Sequence, residues 1–158
     1  MPSVNYSSNI RSANTVVNAS TDGGNRLNIS ISSSQFGSSG LSAGNAIYYS
    51  TSTGKYEKSK ADSPITSEVL GVIEGFDPTG NANVVLYGSI GLTGFFNLGT
   101  GGDGGHDIYF LSGVTAGVLQ SLAPTNANHI VKAVYQTAPH GVYTGVVVNY
   151  IGYKVPVT

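Results

Sequence analysis

The sequence contains no cysteine and no tryptophan, and only 9% of its 158 residues are charged. The absence of cysteine excludes disulfide bonds and thiolate metal sites. An average soluble protein has about 25% charged residues, so solubility here must rest on serine, threonine, asparagine and glycine. Glutamate, lysine and leucine, on which helical domains depend, are sparse. Together with 10 tyrosines, this composition favours a fold rich in strands and turns.

The sequence also lacks a strong charge of either sign. Its formal net charge is -1, from 7 basic and 8 acidic residues. The densest basic run consists of Lys55, Lys58 and Lys60, and Glu57 lies among them. Nucleic-acid binding needs a broader basic patch, so we predict no nucleic-acid partner and expect these lysines on a solvated strand.

Long apolar runs are missing as well. No run approaches the ~18 apolar residues of a membrane span. The first 20 residues lack the apolar segment of a signal peptide. We therefore expect a soluble protein with no membrane partner. At 158 residues, the chain suits one domain or two small lobes that share a core.

The most informative feature that is present is an internal repeat. Gly44–Pro64 and Gly105–Pro124 each contain an apolar strand, a turn with glycine and a second strand, which is a β-hairpin signal. The first strands correspond as Ile47–Tyr49 and Ile108–Phe110. The later segments correspond in the same order: Thr53–Tyr56 with Ala116–Leu119, Leu70–Glu74 with Val131–Tyr135, and Val84–Leu86 with Val146–Val148. The sequence therefore predicts one β unit that occurs twice.

This repeat divides the chain into an N-terminal arm (1–40), a first β unit (41–88), a Gly-rich connector (89–105) and a second β unit (106–158). We predict an all-β fold of two related lobes, each barrel-like or sandwich-like, with an extended arm. The Val-rich strands alternate poorly, which indicates burial on both faces. Strands are predicted at Ala46–Ser50, Tyr56–Ser59, Val69–Gly75, Asn83–Tyr87, Ile108–Leu111 and, as an edge strand, Tyr150–Val157.

The arm allows two interpretations. Leu27, Ile29 and Ile31 alternate with polar residues, which predicts a half-buried strand over Arg26–Ser32. The Ser- and Asn-rich composition favours a mobile arm instead. An arm that becomes ordered on a neighbouring subunit would explain the one-sided apolar pattern.

The histidines are the first candidates for chemistry. His106 lies beside Asp107 and near Asp103, but no metal-binding spacing supports a site there. His129 precedes a strand and His140 lies in a turn, and either could join an interface. We expect no metal site and treat these residues as solvated turn residues.

Other catalytic patterns are weak. No Gly-x-Ser-x-Gly elbow is present. Glu57, Glu68 and Glu74 are spread over strands and turns, and the sequence does not pair them as a glycosidase requires. The run Gly99–Gly105 leads into a strand rather than a helix N-terminus, so we expect a flexible loop and not a phosphate cradle. We predict no catalytic residue, no cofactor and no enzyme activity.

Three remaining features have two interpretations each. The connector residues Leu92, Phe95, Phe96 and Leu98 suggest packing between the lobes or against a neighbour. Triplets of the glycosylation type begin at Asn5, Asn18 and Asn28, and such triplets also arise by chance in a Ser/Asn-rich segment. Seven tyrosines form a candidate sugar-binding surface, although tyrosine also favours half-buried strand positions. They are Tyr48, Tyr49, Tyr56, Tyr87, Tyr109, Tyr135 and Tyr143.

The order of these motifs resembles a β module of tailed-bacteriophage virion proteins, where it occurs in capsid decoration proteins and tail fibres. The second half resembles the module that usually follows it. The matching segments are Leu41–Tyr49, Gly54–Tyr56, Val69–Val72, Gly91–Thr93, Ile108–Ser112 and Gly117–Leu119 with Pro124. The resemblance covers about residues 41–153. The glycines at 99–105 are an insertion relative to the usual spacing, and the arm has no counterpart.

The resemblance implies a non-enzymatic structural protein of a bacteriophage virion. The first expectation is a capsid decoration or cement protein, a homotrimer that binds other virion proteins and stabilises the head. The alternative is a tail fibre or baseplate subunit whose loops contact a glycan of the host surface. A third alternative is a free carbohydrate-binding module, which requires an exposed aromatic platform.

Overall fold

A computed structural model describes residues 26–91, 108–137, 144–148 and 152–156, together with the backbone of the strands at 6–8 and 15–19. The described chain is all-β apart from one 3-10 turn at Ser33–Gln35. This confirms the predicted fold class. The strands are β1 Tyr6–Ser8, β2 Thr15–Ala19, β3 Arg26–Ile31, β4 Ala46–Ser50, β5 Lys55–Lys58, β6 Gly71–Phe76, β7 Ala82–Gly91, β8 Ile108–Leu111, β9 Leu119–Gln120, β10 Ile130–Val131, β11 Ala133–Thr137, β12 Thr144–Val147 and β13 Tyr153–Lys154.

The two related units have the same strand order. In the first unit, β4 pairs with β5 and β6, and β6 pairs with β7. In the second unit, β8 pairs with β9 and β11, and β11 pairs with β12. All of these pairs are antiparallel. The turn glycines Gly54 and Gly117 both have positive φ, at 67° and 79°, a conformation that other residues resist. The repeat predicted from sequence is therefore present in the strand pairing.

A single long strand joins the two units. The N-terminal half of β7 pairs with β6, and Gly88–Gly91 pairs with β12 of the second unit. β7 thus continues three residues into the predicted connector, because β12 supplies backbone partners for Ser89–Gly91. The remaining connector residues lie outside the described part of the chain. As a result, eleven strands form one continuous sheet, and β10 and β13 form a separate pair.

The C-terminal part of the arm belongs to this sheet. β3 pairs with β7 along its whole length, and β2 and β1 follow in an antiparallel meander. Ile29 and Ile31 are 3% and 0% exposed, as the alternating pattern predicts. The strand prediction for Arg26–Ser32 is confirmed to within one residue. A wholly mobile arm is excluded for this strand.

The first unit is buried on both faces of its sheet. Ala46, Val72 and Val85 belong to a core cluster that extends into the second unit. Their neighbours Ile47, Ile73 and Val84 point the other way, into a second cluster. This confirms the expectation for the first Val-rich strand. The second Val-rich strand differs, because Val147 is buried whereas Val146 is 37% exposed.

Backbone hydrogen bonds also tie the units together. The N–H of Ala61 donates to the carbonyl of Ser112 at 2.9 Å, and the carbonyl of Ala61 accepts from Ile130 at 2.8 Å. The N–H of Gly117 donates to the carbonyl of Ser59 at 2.7 Å. The loop after β5 therefore satisfies polar groups of the second unit, and the two units share one interior.

The predicted C-terminal edge strand, Tyr150–Val157, is described only at residues 152–156. Within the described residues, only Tyr153 and Lys154 pair, and their partner is β10. The N–H of Val155 then donates to the carbonyl of His129 at 2.7 Å. Pro156, which lacks an N–H, follows this last bond.

Ser59 provides a stability test of the contact between the units. Its hydroxyl is fully buried and has no hydrogen-bond partner among the residues that the structure describes. We expect Ser59→Ala to leave the free energy of unfolding unchanged or to raise it by up to about 1 kcal/mol, because an unsatisfied polar group is removed. Ser67→Ala is the matched control, since the Ser67 hydroxyl donates to the carbonyl of Pro64 at 3.0 Å. The control should lose about 1 kcal/mol in urea unfolding. A loss of that size for Ser59→Ala would contradict the assignment.

Candidate functional site

The most elaborate polar arrangement in the described chain surrounds Glu74 on β6. The Arg26 guanidinium on β3 donates to both carboxylate oxygens, at 2.7 and 2.5 Å. The Asn83 amide donates to one oxygen at 2.7 Å, and the N–H of Gly91 donates to the other at 3.1 Å. The Asn28 amide in turn donates to the Asn83 carbonyl oxygen at 2.8 Å. We call these five residues the Glu74 network.

The position of Glu74 depends on two distortions of the sheet. A bulge lies between Ile73 and Gly75, which releases the Glu74 side chain from the regular alternation. β7 must also curl, because Gly91 lies seven residues beyond Val84, the pairing partner of Ile73. A straight strand would place it about 23 Å away at ~3.3 Å per residue, far beyond the reach of a glutamate. The network therefore spans the concave face of a curled sheet.

The Glu74 carboxylate is poorly suited to catalysis. The carboxylate accepts four hydrogen bonds, which use both of its oxygens. Burial alone would raise the pKa of Glu74. Hydrogen bonds from Arg26, Gly91 and Asn83, together with the Arg26 charge, outweigh burial and hold this pKa below its ordinary value of 4.5. An ionised carboxylate that accepts this many hydrogen bonds is a poor general base. The network instead holds β3, β6 and the end of β7 together.

The sequence patterns did not predict this network. Glu74 is the single charged residue in the apolar segment Leu70–Phe76, and Arg26 is one of only 7 basic residues in the chain. A lone charge inside an apolar strand indicates a partner across the sheet, although it does not identify that partner. The partner lies 48 residues away in sequence.

The described part of the second unit has a surface groove of about 330 Å³. His129 lines it, with the N–H of His129 donating to the Asn126 carbonyl at 3.1 Å. Val114 and Leu122 at the groove are 73% and 78% exposed. Among the described residues, the lining has no carboxylate, lysine or arginine that could form an acid–base pair with His129. The full lining is Gly113, Val114, Gln120, Leu122, Ala123, Pro124, Thr125, Asn126 and His129.

The other histidine candidates fall outside the described residues. This applies to His106, Asp103, Asp107 and His140. Among the residues that are described, no group of three histidine, aspartate or glutamate side chains is placed to hold a metal ion. The Gly99–Gly105 run also lies outside.

The described tyrosines do not form a common exposed surface. Four of the seven candidates are at most 7% exposed, which fits their interpretation as strand residues: Tyr48, Tyr56, Tyr109 and Tyr135. Tyr49 is 45% exposed and its ring contacts that of Tyr56 at 5.2 Å between centroids. Tyr87 is 61% exposed and lies on β7. Tyr143 lies outside the described residues.

The other two glutamate candidates, Glu57 and Glu68, have contacts of their own. Glu57 accepts hydrogen bonds from the hydroxyls of Thr53 at 2.6 Å and Tyr48 at 3.3 Å. Glu68 is exposed and faces the half-buried Lys132, whose pKa is lowered by burial and raised in part by Glu68. Glu57, Glu68 and Glu74 thus have separate environments, and none forms a described carboxylate pair.

The structure places two lysines of the basic run in specific contacts and two asparagines of the glycosylation triplets on strands. Lys60 forms an ion pair with Asp62 at 2.9 Å, and the Lys55 ammonium donates to the Ser34 carbonyl at 3.4 Å. These contacts agree with a solvated strand. Asn28 is bonded to Asn83 inside the sheet. Asn18 lies on β2, and Asn5 lies outside the described residues.

Comparisons with known proteins give no relative for this chain: no protein-family model, curated protein or solved structure matches it. The functional argument therefore rests on the residues and their geometry. Among the described residues, no helix has the length and apolar character needed to cross a bilayer.

Proposed function

We propose that this chain is a structural protein of a bacteriophage virion, and that it decorates the capsid and stabilises the head. The resemblance of residues 41–153 to a virion β module motivates the proposal. Two related units with one strand order, fused through β7, agree with the two successive modules of that resemblance. The fully hydrogen-bonded Glu74 carboxylate agrees with a binding role rather than a catalytic one, and so does a groove whose lining has no carboxylate, lysine or arginine.

The observation that carries this proposal is the arrangement of the arm. β3 pairs with β7 of the first unit, and β2 and β1 extend the sheet outward. β1 is the last strand on this side, and its outer edge has no partner among the described residues. An open strand edge can add a strand from a neighbouring protein through backbone hydrogen bonds.

In this proposal, the arm edge pairs with a capsid subunit, and apolar area of this chain is buried against the shell. Binding to the assembled shell alone stabilises the shell by mass action. Burial of apolar area and strand pairing together supply the binding free energy.

The proposal is tested by adding the purified chain to empty capsids. The chain should sediment with the capsids and raise their melting temperature. A chain that lacks residues 1–10, and with them β1, should keep its own melting temperature and bind capsids more weakly. Adsorption to host cells without capsid binding would overturn the proposal in favour of a tail fibre. Binding of a glycan by the monomer would favour the carbohydrate-binding module.

A further inference from the structure

Each unit contains a row of three directly paired residues, and residues paired in this way project from the same face of a sheet. The first row, across β3, β7 and β6, is Ile29, Val84 and Ile73. The second row, across β7, β12 and β11, is Ser89, Val146 and Gln136. The C-terminal part of β7 is therefore the counterpart of β3, with Ser89 at the position of Ile29.

A bulge in β7 keeps the two rows on one face of the sheet. Leu27 pairs with Tyr87 whereas Asn28 pairs with Val85, so Leu86 is an extra residue in β7. A bulge of this kind reverses the alternation of the strand that follows. The second row therefore continues the face of the first row.

The two rows differ in how far they are covered. All three residues of the first row are at most 3% exposed and belong to the second core cluster. Phe36 and Leu41 pack against this cluster, and both belong to the segment that joins β3 to β4. In the second row, by contrast, Val146 is 37% exposed, Ser89 is exposed and Gln136 is half-buried. The second row thus has less cover among the described residues.

Connector residues 92–107, which lie outside the described residues, have the same place in the second unit as residues 32–45 in the first. Residues 32–45 join β3 to β4, with β7 and β6 between these strands. The connector joins β7 to β8, with β12 and β11 between them. Three strand spacings of ~4.8 Å amount to about 14 Å. The connector, at ~3.3 Å per extended residue, is long enough to cross the row and return to Ile108.

Counting from the paired strands identifies the counterpart of Phe36. Phe36 lies seven residues after Ile29, and Phe96 lies seven residues after Ser89. The repeat therefore gives Phe96 the position of Phe36. In the first unit, the residue at this position packs on the row and contacts Phe76, with 6.2 Å between the ring centroids.

The composition of the connector compensates for smaller residues in β7. Ile29 and Ile31 of β3 correspond to Ser89 and Gly91 of β7, so the second unit has less apolar volume in its own first strand. The connector has two adjacent phenylalanines, whereas residues 32–45 have one. Because protein interiors are close-packed, larger cover residues fit a row with smaller strand residues.

The opposite face of the second unit is already occupied. Ile90, Tyr135 and Val147 belong to the core cluster that also contains residues of the first unit, such as Val72 and Val85. A connector that packs on this part of the sheet therefore packs on the second row.

We propose that the connector segment 92–98 packs on the second row, with Phe96 in the place that Phe36 has in the first unit. Burial of its apolar side chains against Val146 is the driving force. Each unit is then covered by the segment that leads into it, and the second row is not an interface with another protein. This inference does not rest on the virion function.

Cross-linking of the full chain tests the occupant of the second row. The chain has no cysteine, so Asn97→Cys with Val146→Cys introduces a single pair of thiols and leaves Phe96 in place. A thiol cross-linker that spans about 10 Å, the distance between packed layers, should close within one monomer. Asn97→Cys with Ile65→Cys is the matched control, since Ala61 and Val69 on either side of Ile65 belong to the cluster on the opposite face.

The Val146 pair should cross-link about 10-fold faster than the control pair, because the segment holds its thiol close to the row. Cross-linked dimers in place of monomers would overturn the proposal and assign the row to a second copy. Equal rates for the two pairs would also overturn it and assign the row to another segment or partner.

Thermal unfolding gives a second measurement. Phe96→Ala should lower the melting temperature on the order of 5 °C, because apolar contacts with the sheet are lost. Phe36→Ala provides the scale, since Phe36 packs on the first row. Leu122→Ala is the negative control, because Leu122 is 78% exposed, and it should leave the melting temperature unchanged. A Phe96→Ala variant as stable as Leu122→Ala would contradict the proposal.

Discussion

Gly71→Ala is expected to lower the free energy of unfolding by about 3 kcal/mol. Gly71 begins β6 and is buried. A Cβ atom there would collide with the backbone carbonyl of Val85 and would lie 2.9 Å from the Val84 Cγ1 atom. The backbone of a central strand moves only at the cost of its hydrogen bonds, so little relief is available. For a chain of this size, the change corresponds to a fall in melting temperature on the order of 10 °C.

Gly75→Ala on the same strand is the matched control. No described residue lies within 4 Å of a Cβ atom at Gly75, and the φ of Gly75 is not in the positive region. Alanine there should be neutral or should stabilise by up to about 1 kcal/mol, because it restricts the unfolded chain. Equal destabilisation by the two substitutions in urea unfolding would show that β6 does not pack against β7 as described.

Glu74→Gln is expected to cost about 2 kcal/mol at neutral pH. The amide keeps one acceptor oxygen but presents its NH2 group to donors, which leaves Arg26 and a neighbouring donor without full partners. Glu74 and Arg26 are 21% and 28% exposed, so water only partly replaces these bonds. Glu57→Gln is the control, because the described hydrogen bonds to Glu57 come from the hydroxyls of Thr53 and Tyr48 and not from a guanidinium. It should cost less than half as much.

The cost of Glu74→Gln should also depend on pH. The pKa of Glu74 in the folded state lies below its ordinary value of 4.5. Its contribution to stability is therefore complete above about pH 4.5 and is lost as the pH falls through the folded-state pKa. The difference between wild type and Glu74→Gln should shrink over that range. A difference that stays constant from pH 7 to about pH 3 would contradict the ionised network.

Local patterns predicted the strands that local chemistry determines. The alternation of Leu27, Ile29 and Ile31 indicated β3, and Ala46–Ser50 and Ile108–Leu111 were predicted with their observed bounds. Each of these strands is flanked by a turn or a polar segment, which limits its length to a few residues. The repeat was visible for the same reason, because equivalent turns need glycine at equivalent positions.

Pairings between distant segments were not predictable in this way. The extension of β7 to Gly91 depends on β12, which follows more than 50 residues later. The bulges at Glu74 and Leu86 change which side chains face the core. No local sequence pattern predicted these bulges. Val146 is 37% exposed, whereas the run of valines in the sequence predicted burial on both faces.

The most direct test of the proposed virion role is antibody labelling of intact particles from the source of this sequence, viewed by electron microscopy. The proposal predicts label distributed over the head. Label confined to the tail would contradict decoration and favour the fibre alternative. Particles that carry no label would contradict a virion role altogether.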